Sequence, residues 1–271
     1  MARQFLSDKF DTAKVSNLSL LLSYGTLTIM AKDQNDAVIG SRIHHFSDKE
    51  ALKHIIEQEE LFKSENLKGK LYVHNDHFTL VPGVVYDPNN KIQYLNFATD
   101  LLEQKECTLF SDSLGSNNLY VIGALEKEIF TLFENKIWGL KVSHGSVIGL
   151  SYLLGNKYEF IGQEVFIIID HSHVYLSAFS QHELLIFNRF DVQSEEELLK
   201  YLFIVFQQLN FNREYCKVNV LGDLGTLNSS KENLEKYFKH IIEVKPNTNI
   251  NYLPGAESIK ETKSLDAYWT I

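Results

Sequence analysis

The hydrophobic pattern of the chain writes one order of elements twice. Leu18-Ser19-Leu20-Leu21-Leu22 and Val165-Phe166-Ile167-Ile168-Ile169 are near-continuous apolar runs, as strands covered on both faces require. Strict alternation follows each run. Leu27 and Ile29 fall on one face and Thr26 and Thr28 on the other, matched by Val174 and Leu176 against Tyr175 and Ser177. Polar turns at Asp33–Asp36 and Ser180–Glu183 lead to third strands over Ala37–Ile43 and Leu184–Phe190, so each copy opens as an antiparallel meander. Helical spacing comes next, with Leu52, Ile55, Ile56 and Phe62 in one copy and Leu199, Leu202, Phe203, Phe206 and Leu209 in the other. Ser47-Asp48-Lys49-Glu50 and Ser194-Glu195-Glu196-Glu197 precede these helices. Both have the capping-box spacing, in which the Ser hydroxyl accepts from the N3 amide and the Glu returns to the Ser amide. A last run, Lys70–Asp76 or Lys217–Asp223, is the parallel strand to which each helix crosses back.

An ungapped offset of 147 carries Leu18–Asp76 onto Val165–Asp223. Identities recur at Ala31/Ala178, Arg42/Arg189, Ser47/Ser194, Glu50/Glu197, Leu52/Leu199, Lys53/Lys200, Lys70/Lys217 and Asp76/Asp223. Three meandering strands, a helix and a parallel return form the core of the ribonuclease-H-like fold. Two such units in tandem predict a duplicated α/β architecture, that of the actin-like ATPases, with two βββαβα lobes and mixed sheets. The first lobe is expected over residues 1–160 and the second over 161–271. Residues 81–137 read as a small α+β insertion in the first lobe. It holds a helix around Pro88–Leu102, strands around Cys107–Ser111 and Leu119–Ala124, and a helix around Glu126–Asn135. Leu140–Val142 and the apolar helix Val147–Leu154 then complete that lobe. A third capping box, Ser229-x-x-Glu232, opens a helix through His240, and Ile241–Lys245 is the final strand. The pattern leaves segment 256–271 open between a helix and a packed tail.

Several of these segments resemble known families. Val165–Phe179 is similar to the second phosphate loop of the pilus-assembly actin homologue PilM and the cell-division protein FtsA, and Asn118–Leu154 to their subdomain strand, helix and return strand. Leu184–Leu209 and Lys217–Asp223 more closely resemble an uncharacterised Bacteroidetes family, a domain of unknown function of about this length in the actin-like ATPase superfamily. The resemblance implies ATP–Mg²⁺ held between two Asp-x-Gly hairpin loops. Glycines let backbone N–H groups approach the phosphates, and the carboxylates act on Mg²⁺ and its waters. The matching first loop is Ser23-Tyr24-Gly25-Thr26, with Ser for Asp. The second is Asp170-His171-Ser172-His173, with Ser for Gly between two imidazoles. On the adenosine side, Gly222, Asp223 and Gly225 follow the last parallel strand, although any strand-to-helix corner carries such glycines. Each phosphate loop has lost one element, so efficient hydrolysis is not expected.

No other pattern supplies a catalytic or metal assignment. Asp170, His171 and His173 have a His-x-His spacing that suits a metal. Third and fourth ligands are not visible, which favours a solvated turn. His74-x-x-His77 reads as an exposed loop, and His44 and His45 point to opposite strand faces. Arg42 and Arg189, at repeated positions, read as edge or ion-pair residues rather than phosphate clamps.

Composition narrows the classes further. Of 271 residues 44% are hydrophobic and 23% charged, which suits a folded chain. A formal charge of −9 opposes polyanions, so nucleic acid is excluded as a partner in the absence of a basic patch. No apolar stretch reaches the ~18–20 residues of a membrane span, and no signal-peptide pattern stands at the start. Cys107 and Cys216 stand alone, without zinc or disulfide spacing. A cytoplasmic location is therefore expected. The leading functional reading is a non-catalytic, pseudo-ATPase module with no cofactor, which binds a protein partner or itself, with 81–137 as the expected contact segment. Its alternatives are an ATP-binding switch with weak or no hydrolysis, and a sugar-kinase-like enzyme.

Overall fold

The computed structural model describes residues 2–64, 66–99, 106–170 and 173–271. The chain divides into two compact units, residues 1–147 with 250–259 and residues 148–249 with 260–271. The first unit opens with β1 (Arg3–Leu6), β2 (Asn17–Ser23), β3 (Thr26–Lys32), β4 (Val38–His45), α1 (Lys49–Gln58) and β5 (Lys68–Val73). It continues with β6 (Phe78–Pro82), α2 (Lys91–Asn96), β7 (Cys107–Ser113), β8 (Leu119–Glu126), α3 (Lys127–Glu134) and β9 (Lys141–His144). Its main sheet has the order β1-β4-β3-β2-β5-β9. The apolar run of β2 is therefore central, antiparallel to β3 and parallel to β5. Leu18, Leu20 and Leu22 of β2 join Leu27 and Ile29 of β3 and Leu52 and Ile56 of α1 in one core. The insertion has its own sheet, β6-β8-β7.

The second unit takes α4 (Ser146–Asn156) from Ile148 onward, then β10 (Gln163–Asp170), β11 (His173–Ser180), β12 (Glu183–Asp191), α5 (Glu195–Leu209), β13 (Lys217–Leu221), α6 (Lys231–Leu234) and β14 (His240–Glu243). Its sheet order, β12-β11-β10-β13-β14, repeats the core order β4-β3-β2-β5-β9. Val165, Ile167, Val174 and Leu176 pack with Leu199, Leu202 and Phe206 of α5. The end of the chain is a packed tail with two short 3-10 turns. Leu265, Asp266 and Ala267 are buried, and Trp269 Nε1 donates to Ser151 Oγ at 3.0 Å.

The ungapped repeat holds for only part of its length. Leu18 faces Ala31 and Val165 faces Ala178, as the offset of 147 requires, and both meanders have a bulge just after that alanine. The connection to the third strand is one residue shorter in the second unit, so the registers of β4 and β12 differ on both sides of the bulge. Lys32 faces Val38, and Phe179 faces Leu184. Thr26 faces His45 whereas His173 faces Asp191, an offset of 191 − 45 = 146. A one-residue slip exchanges the faces of a strand. Arg42 therefore lies opposite Ile29, on the α1 face, and Arg189 opposite Tyr175, on the other face; the two arginines are not equivalent. Arg42 pairs with Glu59, and Arg189 with Asp191 at 3.2 Å. The parallel strand slips by two. Asn17 faces Lys68 and Glu164 faces Lys217, so Lys68 rather than Lys70 matches Lys217. A slip of two keeps every side chain on its face, which is why the apolar pattern conceals it.

Local capping also differs from the sequence reading. Asp48, not Ser47, caps α1: its Oδ1 accepts from the Ala51 N–H at 2.9 Å, while Ser47 Oγ donates to Asp48 Oδ2. Ser194 caps α5 as expected, but Glu197 returns to the Gln193 N–H. Ser230, not Ser229, caps α6, and Ser229 donates to Glu195. Where two capping residues adjoin, the spacing alone does not say which has the extended backbone that a cap needs. α6 has only four residues, so the helix expected through His240 is cut short. The helix expected over Pro88–Leu102 is a 3-10 turn at Pro88–Asn90 followed by α2, which ends at Asn96; residues 100–102 lie outside the described residues.

Candidate functional site

The carboxyl ends of β2 and β5 come together with the start of α1, because the meander returns the chain to that end before the helix begins. Ser23 and Thr26 close the β2–β3 hairpin across Tyr24 and Gly25. Gly25 has φ +73°, and a side chain there would lie 3.2 Å from the Phe46 carbonyl, so the turn demands glycine on both counts. The Phe46 N–H donates to the Gly25 carbonyl at 2.9 Å, and Thr26 Oγ1 bonds His45 Nδ1 at 3.3 Å. The Tyr24 hydroxyl donates to Asp76 at 3.3 Å. The hairpin is thus tied to its own sheet.

Beneath it lies a pocket of about 260 Å³. Leu22, Leu52, Val73 and Leu125 give it a buried apolar floor, and Phe46 and Ile129 form its walls. Asp48, Lys49 and Glu126 reach its rim, with His74 and His77 behind. Its charge is acidic. Asp48 holds its carboxylate on the α1 amides, and the bond from Ala51 draws its pKa down. Lys49 pairs with Glu128, which raises the lysine's pKa. His74 is buried, contrary to the exposed-loop reading of His74-x-x-His77. His144, which sequence gave no reason to single out, is wholly buried next to it. Burial first, and then the His74 charge, hold its pKa down at about 3. Its neutral ring bonds Ser146 Oγ at 2.7 Å and the Asn75 carbonyl at 3.0 Å.

In the second unit, Asp170 ends β10 and His173 begins β11, and the two face each other as the last pair of that antiparallel ladder. His171 and Ser172 lie outside the described residues. His173 is buried and its Nδ1 bonds Asp191 at 2.7 Å, so it is not the solvated turn histidine of the sequence reading. Asp170 is also buried, and a carboxylate oxygen lies within 4.8 Å of one from Asp266. Burial, then these two acids, raise the pKa of Tyr175 well above the ordinary phenol value.

Gly222 has φ +116°, and a side chain there would stand 2.7 Å from the Ile169 carbonyl. Asp223 accepts from the Gly225 N–H at 3.2 Å, capping the 3-10 turn Leu224–Leu227, and pairs with Lys263 at 3.1 Å. A side chain on Gly225 would meet only ordinary contacts. Strand–strand packing thus accounts for Gly222, and local turn chemistry for Asp223. Gly222 and Lys263 also line a second cavity, of about 270 Å³, with Lys245 and Tyr268.

Comparison with solved structures identifies the class. A Bacteroides thetaiotaomicron VPI-5482 protein, described as having an actin-like ATPase fold and unknown function, superposes with a TM-score of 0.75 at 16% identity, covering 86% of this chain and 92% of that one. A PilM–PilN type IV pilus biogenesis complex matches with a TM-score of 0.61 at 13% identity, over 94% and 96% of the two chains. The fold is that of the actin-like ATPases. Residues 7–241 match the family described as "Protein of unknown function (DUF3822)", and the chain belongs to that family. No curated protein matches it in sequence. Among the described residues, no helix is long and apolar enough to cross a membrane.

Proposed function

We propose that this chain is a non-catalytic actin-like module that binds a protein partner or a second copy of itself. The observation that carries the reading is the first-unit hairpin. Ser23 stands where an Mg²⁺-directing carboxylate is required, and the adjacent pocket is apolar with an acidic rim. Mg²⁺ in phosphate sites is held through one or two carboxylates, phosphates and waters, so loss of one carboxylate removes a large part of the protein's share. In the second unit, Gly222 and Asp223 have structural employment that leaves no need for a nucleotide to explain them.

The partner surface is assigned to the insertion, about residues 81–137. Val84 is 83% and Phe97 91% exposed there, and large exposed apolar side chains on one small subdomain suit a contact face. The similar pilus protein was solved in a complex with PilN, which supports a partner-binding reading of the fold. A cytoplasmic location fits the free Cys107 and Cys216. Calorimetry and phosphate-release assays of the full chain with ATP–Mg²⁺ test the reading. We expect neither measurable binding nor turnover. Micromolar ATP affinity that Asp170→Ala removes would overturn it in favour of an ATP-binding switch. The association arm is tested by Val84→Asp with Phe97→Asp, which should weaken any self-association or partner capture seen with the unmodified chain.

A further inference from the structure

The pocket beneath the first hairpin has a composition that selects its occupant. Its volume, about 260 Å³, is below the roughly 300–1,000 Å³ of small-molecule sites. Its floor is aliphatic. A helix start would ordinarily favour an anion. Here the Asp48 carboxylate already takes the Ala51 N–H, and Lys49 is paired with Glu128. Glu126 stands on the rim, and Asp76 is held over the turn by the Tyr24 hydroxyl. Among the described residues that line the pocket, the charged side chains are Asp48, Glu126 and Lys49, with Asp76 over the turn and Glu128 on Lys49. Acids therefore outnumber lysine around an apolar hole. Such a site repels phosphates and carboxylates and attracts cations.

We propose that this pocket binds a partner-protein segment that inserts one aliphatic side chain over Leu52 and Ile129 and sets an adjacent Lys or Arg beside Asp48, Asp76 and Glu126. The inference rests on the protein-binding reading and adds the chemistry of the partner. It locates the contact at the hairpin, apart from the exposed apolar residues Val84 and Phe97.

A random dodecapeptide phage library selected on the immobilised full chain tests it, followed by fluorescence anisotropy with a synthetic copy of the most enriched peptide. Selected peptides should place Leu, Ile or Met next to Lys or Arg. Asp48→Asn with Glu126→Gln should weaken the synthetic peptide at least tenfold; Asn still caps α1, so the fold is spared. Replacing the peptide's basic residues by Gln should cost a similar factor in the unmodified chain and almost nothing further in the variant. Enriched peptides without basic residues, or binding that the paired variant leaves unchanged, would overturn the pocket assignment while the protein-binding reading stands. Absence of any enriched peptide also overturns it; the wider reading is then judged by its own association test on Val84 and Phe97.

Discussion

His144 shows how one residue links the site to the stability of the unit beneath it. Burial and the nearby His74 hold its folded pKa at about 3, against an ordinary value of 6.5. The unfolded chain therefore binds a proton that the folded chain refuses between those limits, and stability falls as pH drops through that window. One proton corresponds to a slope of about 1.4 kcal/mol per pH unit. Urea unfolding at fixed pH should show this slope setting in below about pH 6.5, and His144→Gln should flatten it. A variant with the unmodified slope would locate the acid sensitivity elsewhere. Glycine gives a second contrast at the same scale. Gly222→Ala forces a side chain into the Ile169 backbone at positive φ and should cost about 1–3 kcal/mol or more. Gly225→Ala should stay within about 0.5 kcal/mol. Similar losses at both positions would show that the site imposes a constraint on Gly225 that packing does not. Sequence showed the two glycines as one motif. Only the close approach of β10 separates them, and that approach is a long-range fact that no local spacing encodes.

Elements were legible where their period was unambiguous. The alternation of Leu27 and Ile29 against Thr26 and Thr28 gave β3 its faces correctly, and the apolar run of β2 is central as expected. β1 is four residues long and earns its place only by pairing with β4, so nothing local announces it. β6 ends in Pro82 and was indistinguishable from a connection until β8 paired with it. The register slips escaped because face parity hides a two-residue shift, and because a turn one residue shorter before β12 moved Arg189 without disturbing the apolar count. Capping failed for a related reason, since Ser47 and Asp48 are both competent caps. The structure makes the difference measurable. Asp48→Ala removes the bond to the Ala51 N–H and should cost about 1 kcal/mol, within the 0.5–2 kcal/mol range for lost caps. Ser47→Ala leaves that bond in place and should change stability by no more than about 0.5 kcal/mol in chemical denaturation. The reverse order of the two effects would restore the capping box that the sequence suggested.

At the scale of the whole molecule, fold and function parted. The repeated order of elements and the phosphate-loop resemblance identified the actin-like architecture, because packing of β2 and β10 between helices and neighbouring strands depends on pattern. Activity depends on single atoms in each loop, and pattern is silent about those. Ser23 offers a test of the proposed loss. Restoring the carboxylate with Ser23→Asp supplies the charge that a divalent cation needs, but sets it beside Asp48, Asp76 and Glu126, where like charges repel it. A catalytic site also requires its other donors already in position, since one missing electrostatic group typically costs 10²–10³ in rate. In the second unit the residue after His171 remains Ser172 where the resemblance requires glycine. Ser23→Asp should therefore leave phosphate release at background with ATP–Mg²⁺, and should lower the melting temperature slightly in metal-free buffer through added repulsion. Added Mg²⁺ should recover that small loss without turnover, because a carboxylate cluster screens its charge with any dication. Steady hydrolysis on this single substitution would mean that the remaining machinery is intact and only one carboxylate was lost, and the protein would then be an ATPase silenced at Ser23.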